Sequence, residues 1–338
     1  MSYRDAGVDL RAAEDLTARL ADLVESTRTE GVRASFGSFG GRFAVAGDAE
    51  LVASADGVGT KVMVAARFGI HDTVGEDLVN HCVNDVLVEG ALPLFFLDYF
   101  ACGTLAPDVG YAVVSGVARG CRLNGCALLG GETAEMPGVY RPGEYDLAGF
   151  LVGRRSFELP PKEQLGEGDV LIGLPSSGFH TNGYSLLRQL LFDRLGLGPD
   201  DPLPGTGRSV SEVLLTVHRS YLSHVRGAFE KGLVGAAAHI TGGGLQGNLR
   251  RVLPAQLDAE VDVRSWMPGP EFRFVAEQAG LEQADLYETL NMGIGMVLVA
   301  RARDADSLIA AVTGTGCEAF RCGHLTGGTG SVRLEGSW

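Results

Sequence analysis

The sequence predicts a two-domain protein of the α/β (α+β) class, and three observations carry the prediction. The chain has 338 residues, enough for two domains of ordinary size. Apolar runs of strand length alternate with stretches of helical period in both halves, the pattern of layered folds that mix sheet and helix. A Pro-Pro-Lys-Glu segment at 160–163 interrupts the pattern near the middle and divides the chain into domains over 1–165 and 166–338.

In the first half, Leu16, Leu20, Leu23 and Val24 give residues 9–27 a helical spacing. ASFGSFGGRFAV at 34–45 holds too many glycines for a helix and reads as a mobile loop running into a strand. ELVASA at 50–55 is a strand, and the helix over 61–69 ends at Gly69. Residues 77–91 place Leu78, Val79, Cys82, Val83, Val86 and Leu87 at helical period, with Gly90 as the stop. A strand over 93–101 follows, then a helix over 108–124 that stops at Asn124-Gly125. CALLGGET at 126–133 is a strand entering a second glycine turn, and YDLAGFLVGRR at 145–155 is another strand. The second half predicts a strand over 169–174, a helix from Ser185 to Leu195 and a Pro/Gly-rich loop over 200–209. One helix over 211–231 comes next, then strand and glycine turn over 236–245. A buried strand over 291–300, a helix over 303–313 and a closing strand near 319–326 complete the chain.

Composition excludes several classes. A formal net charge of −14 argues against general affinity for nucleic acid or an anionic membrane. It leaves room for an anionic substrate, because a local nest of amides outweighs distant charge. The 49 glycines follow no collagen period and accompany 45% apolar residues, so they signal tight turns in a folded protein. The six cysteines (Cys82, Cys102, Cys121, Cys126, Cys317, Cys322) form no C-x-x-C pair and read as reduced thiols of a cytoplasmic protein. The charged N-terminus does not read as a signal peptide, and the run ALPLFFL at 91–97 is too short to span a bilayer.

Neither a Walker A loop nor a dinucleotide fingerprint is present. DGVGTK at 56–61 nonetheless has the parts of a phosphate cradle. Gly57 and Gly59 let amides approach an anion, Thr60 offers a hydroxyl and Lys61 a positive charge. Asp56 would repel a phosphate unless a divalent cation lies between them. Asn84 and Asp85 are polar residues inside an apolar helical pattern, which implies a partner or a metal. Glu132 follows Gly130 and Gly131 at the end of an apolar strand, with Thr133 beside it. Asp56, Asp85 and Glu132 at the ends of three elements suit a Mg2+–nucleotide site. In the second half, Ser176, Ser177, Gly178 and Asn182, with Gly183, precede a helix as an anion seat, and His180 sits among them as a candidate for proton transfer. Thr241, Gly242, Gly243 and Gly244 form another amide-rich turn.

SYRDAGVD at 2–9, DGVGTK at 56–61, HDTVGEDLV at 71–79, CVND at 82–85, PLFFLDY at 93–99, GGETAEMPG at 130–138, SSGFHTNGYSL at 176–186 and HITGGGL at 239–245 together resemble the phosphoribosylformylglycinamidine cyclo-ligase (AIR synthetase) family. The wider superfamily includes selenophosphate synthetase, thiamine-monophosphate kinase and the hydrogenase maturation dehydratase. The resemblance implies an AIR-synthetase-like fold, in which N-terminal domains pair in a homodimer and form an intersubunit β-barrel beside a C-terminal α/β domain. It implies ATP-dependent ring closure of formylglycinamidine ribonucleotide to 5-aminoimidazole ribonucleotide, ADP and phosphate, with Mg2+, and no nucleic-acid or membrane partner. It also implies that Asp56, Asp85 and Glu132 meet metal or nucleotide phosphate. On the same basis Thr60 and Lys61 meet phosphates, and the Ser176–Gly183 and Thr241–Gly244 segments bind substrate. The loop over 35–41 would act as a lid. Selenophosphate synthetase needs a reactive Cys in the N-terminal glycine loop, and ASFGSFGG has none.

Overall fold

The computed structural model describes residues 10–34, 37–47 and 49–337. The SYRDAGVD segment and positions 35 and 36 of the expected lid lie outside the described residues. The first half runs α1 (Leu10–Glu25), β1 (Gly41–Ala44), β2 (Glu50–Gly57), α2 (Lys61–Phe68), α3 (Val74–Val88), β3 (Ala91–Cys102), α4 (Pro107–Asn124), β4 (Ala127–Glu135) and β5 (Tyr145–Arg155). Its sheet has the order β1-β2-β5-β3-β4, antiparallel throughout except for the parallel β3–β4 pair.

Helix α3 packs on one face of this sheet, against β2, β3 and β5, and α4 covers α3. Two glycines permit that close approach. A Cβ on Gly75 would collide with the Val113 carbonyl, and one on Gly116 with the Asp72 carbonyl. Sandwiched between sheet and helix, α3 buries nearly its whole length, polar residues included. The opposite face of the sheet is open. Partner residues on neighbouring strands share a face, so Phe150, which pairs with Ala55 and Leu97, puts an apolar row on that side. Phe150 is 41% exposed and Leu97 36%.

The second half runs β6 (Val170–Pro175), α5 (Tyr184–Arg188), β7 (Pro202–Leu203), β8 (Arg208–Ser209), α6 (Val210–Leu214), α7 (Leu222–Glu230), β9 (Ala236–His239), α8 (Gly244–Val252) and β10 (Leu257–Asp262). It closes with α9 (Pro270–Ala279), α10 (Gln283–Thr289), β11 (Ile294–Ala300), α11 (Ala305–Thr313), β12 (Phe320–Gly327) and β13 (Val332–Glu335). The six-stranded sheet has the order β13-β10-β12-β6-β11-β9, with β10–β13 its one parallel pair. All seven residues of β11 are buried, as its unbroken apolar run requires.

The expected helix over 211–231 is two helices. The chain leaves helical geometry between Leu214 and Leu222, and that break turns toward α3. Helix α5 stops after Arg188, and a π-helical turn over Gln189–Arg194 carries the chain on. The sequence reading did not resolve α8, β10, α9, α10 or β13.

Candidate functional site between the two halves

Helix α3 is the spine of the interface. Asp77, His81 and Asp85 recur at every fourth residue, and Asn80 and Asn84 stand one position before the last two. That spacing puts all five on one helical face. The face meets the second half. Asp77 accepts the His218 amide at 2.7 Å, and Asn80 donates to the His218 carbonyl at 2.7 Å. Asn84 donates to the Arg219 carbonyl at 2.8 Å and accepts the Tyr221 amide at 2.9 Å. Asp85 takes a hydrogen bond from His239 Nδ1 at 2.9 Å and one from the Ser54 hydroxyl at 3.1 Å. The backbone of the broken segment at His218, Arg219 and Tyr221 therefore finds its partners on α3 instead of within a helix.

Lys61 completes this buried network. Its Nζ donates to Asp77 at 2.9 Å, to the His180 carbonyl at 3.1 Å and to the Thr216 carbonyl at 2.8 Å. Three acceptors use all three protons of a side chain with no exposed surface. Burial lowers the ammonium pKa and raises that of Asp77, each against the pull of the other. In the ligand-free chain the Lys61 charge, expected to meet a phosphate, ties the halves together behind the glycine turn.

In front of this layer lies a cleft of about 380 Å3, within the usual range for small-molecule sites. The first half lines it with Asp56, Gly57, Gly59, Thr60 and His81, and the second half with Thr181, Asn182, Gly183, Tyr184 and Ser185. Thr60 and Ser185 hydroxyls meet across it at 3.2 Å. Gly183 adopts φ 78°, and a Cβ there would strike Leu290, so only glycine lets the chain turn at this wall. Asp56 sits 2.9 Å from His81 Nε2 and accepts the Gly57 amide at 2.7 Å. Burial pushes the Asp56 carboxyl up, but the His81 charge and these hydrogen bonds outweigh it and hold it below the usual carboxylate range. Burial likewise works against the His81 imidazolium, yet Asp56 and Asp85 raise its pKa to about 9. The wall of the cleft is thus a carboxylate–imidazolium pair at neutral pH.

The other imidazoles behave differently. His180, His218 and His239 are fully buried, and burial is the main cause that keeps all three below the ordinary histidine range. His180 stacks on His218 with ring centroids 3.9 Å apart, and its Nε2 accepts the Ser177 amide at 3.1 Å. Its backbone has φ 59°, a left-handed conformation that side chains other than glycine seldom adopt and that these contacts hold in place. The structure places His180, the residue expected to move a proton, behind the cleft and in contact with His218 and Ser177.

Of the three acids expected to share Mg2+, Asp56 and Asp85 come together on His81, whose Nε2 lies 2.9 Å from one carboxylate and 3.9 Å from the other, and Glu132 stands apart within the chain. Asp56 faces the cleft, whereas Asp85 is 6% exposed and engaged by His239 and Ser54. Glu132 pairs with Tyr99, which pairs with Ala148 and so with Gly57. This row alternates with the Asp56–Gly149–Asp98–Gly131 row, so Glu132 lies on the opposite face of the sheet, three strands away. Gly130, Gly131 and Thr133 travel with it on β4. Asn84 is structural, as above. Ser176 and Ser177 bond to Asn291 and to the Val217 carbonyl, and Gly178 accepts from Asn291. Gly242 approaches Asn182, which brings the Thr241–Gly244 turn to the rim of the cleft. Sequence reasoning missed Asp77, His81, Thr181, Tyr184, Ser185 and His218. The signal for the first two was present, because a polar stripe at every fourth residue inside an apolar helix demands partners. Among the described residues two sets of three ligating atoms come together, His180/His218/His239 and His81/Asp85/His239. Both are rich in imidazole, which does not suit Mg2+.

Residues 40–155 match the family described as AIR synthase related protein, N-terminal domain, and residues 166–335 match its C-terminal domain. The phosphoribosylformylglycinamidine cyclo-ligase of Shouchella clausii (strain KSM-K16) is 44% identical over 336 residues, 98% of this chain and 97% of that protein. The chain belongs to the phosphoribosylformylglycinamidine cyclo-ligase family. The cyclo-ligase of Nitratidesulfovibrio vulgaris (strain DSM 19637 / Miyazaki F) is 46% identical over 329 residues, 96% of this chain and 94% of that one. Among solved structures, tt0281 from Thermus thermophilus aligns with a TM-score of 0.66 at 22% identity, over 95% of this chain and 96% of that chain. AaThiL complexed with AMPPCP and TMP aligns at 0.65 and 16% identity, over 93% and 92%. At these identities the two structures show that the cyclo-ligase fold is shared with them, and no more.

Proposed function

We propose that this chain catalyses ATP-dependent ring closure of formylglycinamidine ribonucleotide to 5-aminoimidazole ribonucleotide, ADP and phosphate, in the cytoplasmic synthesis of purines. The observation that carries the reading is the cleft, where the Asp56–Thr60 turn of one half meets the Thr181–Ser185 segment of the other. An amide oxygen is a poor leaving group. Transfer of the γ-phosphoryl group of ATP to the formyl amide oxygen turns that oxygen into a phosphate ester. The amidine nitrogen then attacks the same carbon, the C–N bond closes the ring, and the C–O bond breaks to release phosphate. Such chemistry asks the protein mainly for alignment and charge stabilisation.

Gly57, Gly59 and Thr60 open α2 and offer amides and a hydroxyl to nucleotide phosphates. Asp56, the carboxylate that lines the cleft, would hold Mg2+, which binds through one or two carboxylates and otherwise keeps water and phosphate oxygens. When bound there, the ion would neutralise phosphate charge. Asp85 and Glu132 take no part in this assignment. Asn182, Gly183 and Ser185, with the Thr241–Gly242 turn, would position the ribonucleotide. The open apolar face of the first sheet supports a further reading, that a second copy covers it and makes a homodimer.

The test is turnover by the purified protein with ATP, Mg2+ and formylglycinamidine ribonucleotide. The reading expects equal amounts of ADP and aminoimidazole ribonucleotide, and expects Asp56→Asn to lose at least about 100-fold in kcat with the fold intact. No ADP and no imidazole product from the folded protein would refute it.

A further inference from the structure

A second cavity, about 670 Å3, opens between the halves at the far end of α3. Its wall includes Val88 and Glu89, and Glu89 lies eight residues beyond His81, about 12 Å along the helix axis. Arg33, Arg42, Arg155, Lys162 and Arg251 line it, five of the 28 basic residues in a chain of net charge −14. Opposing them are Glu89 and Glu163 in the wall and Glu50 behind it. Glu50 alone holds two guanidiniums, those of Arg42 and of Arg155, so it neutralises only one of them. Five cations against three carboxylates leave two positive charges.

Two further details mark the place as built for an anion. Arg155 lines the cavity and donates through Nη1 to Glu50 at 3.4 Å, which leaves further donors of its fork for an incoming acceptor. The Arg251 guanidinium lies 3.8 Å from the centre of the Phe39 ring and donates to the Gly37 carbonyl at 3.1 Å, which fixes a cation at the wall.

We propose that this cavity binds a phosphate monoester of nucleotide size, at a subsite separate from the glycine-turn cleft. A phosphate monoester carries nearly two negative charges near neutrality and three acceptor oxygens, which matches the surplus and the geometry of arginine forks. The volume leaves room for a ribose and a base beside the phosphate. The phosphate is that of the ribonucleotide substrate or of a free nucleotide acting as effector.

The test is isothermal titration of the full chain with ribose 5-phosphate, in the wild type, in Arg155→Gln/Lys162→Ala and in the cleft variant Thr60→Val. The expected result is measurable binding by wild type, at least tenfold weaker binding by the cavity variant, and unchanged binding by Thr60→Val. No binding by wild type, equal affinity in the cavity variant, or loss in Thr60→Val instead would each overturn the proposal. Lys162→Ala alone alters an exposed residue and serves if the double variant unfolds; it should weaken binding about threefold, and an unchanged Kd overturns the proposal. Parallel turnover separates the two sources. A raised KM for the ribonucleotide in the cavity variant assigns the phosphate to the substrate, and an unchanged KM with lost ribose 5-phosphate binding assigns it to an effector. Titration requires no turnover, so a failure of the catalytic reading would be seen separately.

Discussion

Lys61 and Asp77 form an ion pair at 2.8 Å with no exposed side-chain surface on either partner. Removing one partner leaves a buried charge uncompensated, whereas replacing both with apolar residues removes the problem along with the bond. Asp77→Ala should therefore destabilise the protein by about 3–5 kcal/mol, and Lys61→Met/Asp77→Leu should cost much less. Urea unfolding of the two variants checks this, and equal losses would show that the pair is not coupled. His81 makes a second prediction at this scale. Its folded pKa of about 9 lies above the unfolded value of 6.5, so its stabilisation is complete below pH 6.5 and is lost as pH rises through 9. The difference amounts to about 3 kcal/mol. His180, His218 and His239 have folded pKa values below 6.5, so their contribution is present above that pH and is lost on acidification. The ligand-free protein should then be most stable near pH 6.5, and His81→Gln should flatten only the alkaline limb. An alkaline limb of the same slope in that variant would contradict the assigned pair. None of these couplings was legible at the residue level. DGVGTK identified the turn correctly, but nothing in a six-residue motif says that its lysine points inward to an aspartate sixteen positions later.

At the scale of elements, the strand over 145–155 appears with the bounds its alternation predicts, and α4 ends at Gly125 in a left-handed cap as the Asn-Gly signal requires. The helix over 211–231 fails for a physical reason. LLTVHRSYLSHV keeps a helical period across the break, so the local pattern favours one helix. The competing bonds come from Asp77, Asn80 and Asn84, more than 130 residues earlier, and tertiary partners override local period. Asn84→Ala removes the partners of the Arg219 carbonyl and the Tyr221 amide, and should cost about 1–3 kcal/mol for each group left unpaired. Hydrogen exchange should show faster opening at the Tyr221 amide. Unchanged protection there would mean that the break holds its shape without α3.

At the scale of the molecule, the two large sheets are joined through the polar face of one helix, with a cleft on one side of the joint and an apolar sheet face left open. The two-domain layout was legible because punctuation and period changed together. The spatial separation of Asp56 and Glu132 was not, because strand order decides it and the order β2-β5-β3-β4 is not the order of the chain. If a second copy covers the open face, sedimentation should give a dimer, and Leu97→Asp/Phe150→Asp should give a folded monomer. A wild-type monomer would remove that reading. The most direct test of the account follows the oxygen. Formylglycinamidine ribonucleotide labelled with oxygen-18 in its formyl group, turned over with unlabelled ATP, should deliver one labelled oxygen to each phosphate released with the imidazole product. Unlabelled phosphate, with the heavy oxygen recovered in water, would contradict phosphorylation of the amide oxygen.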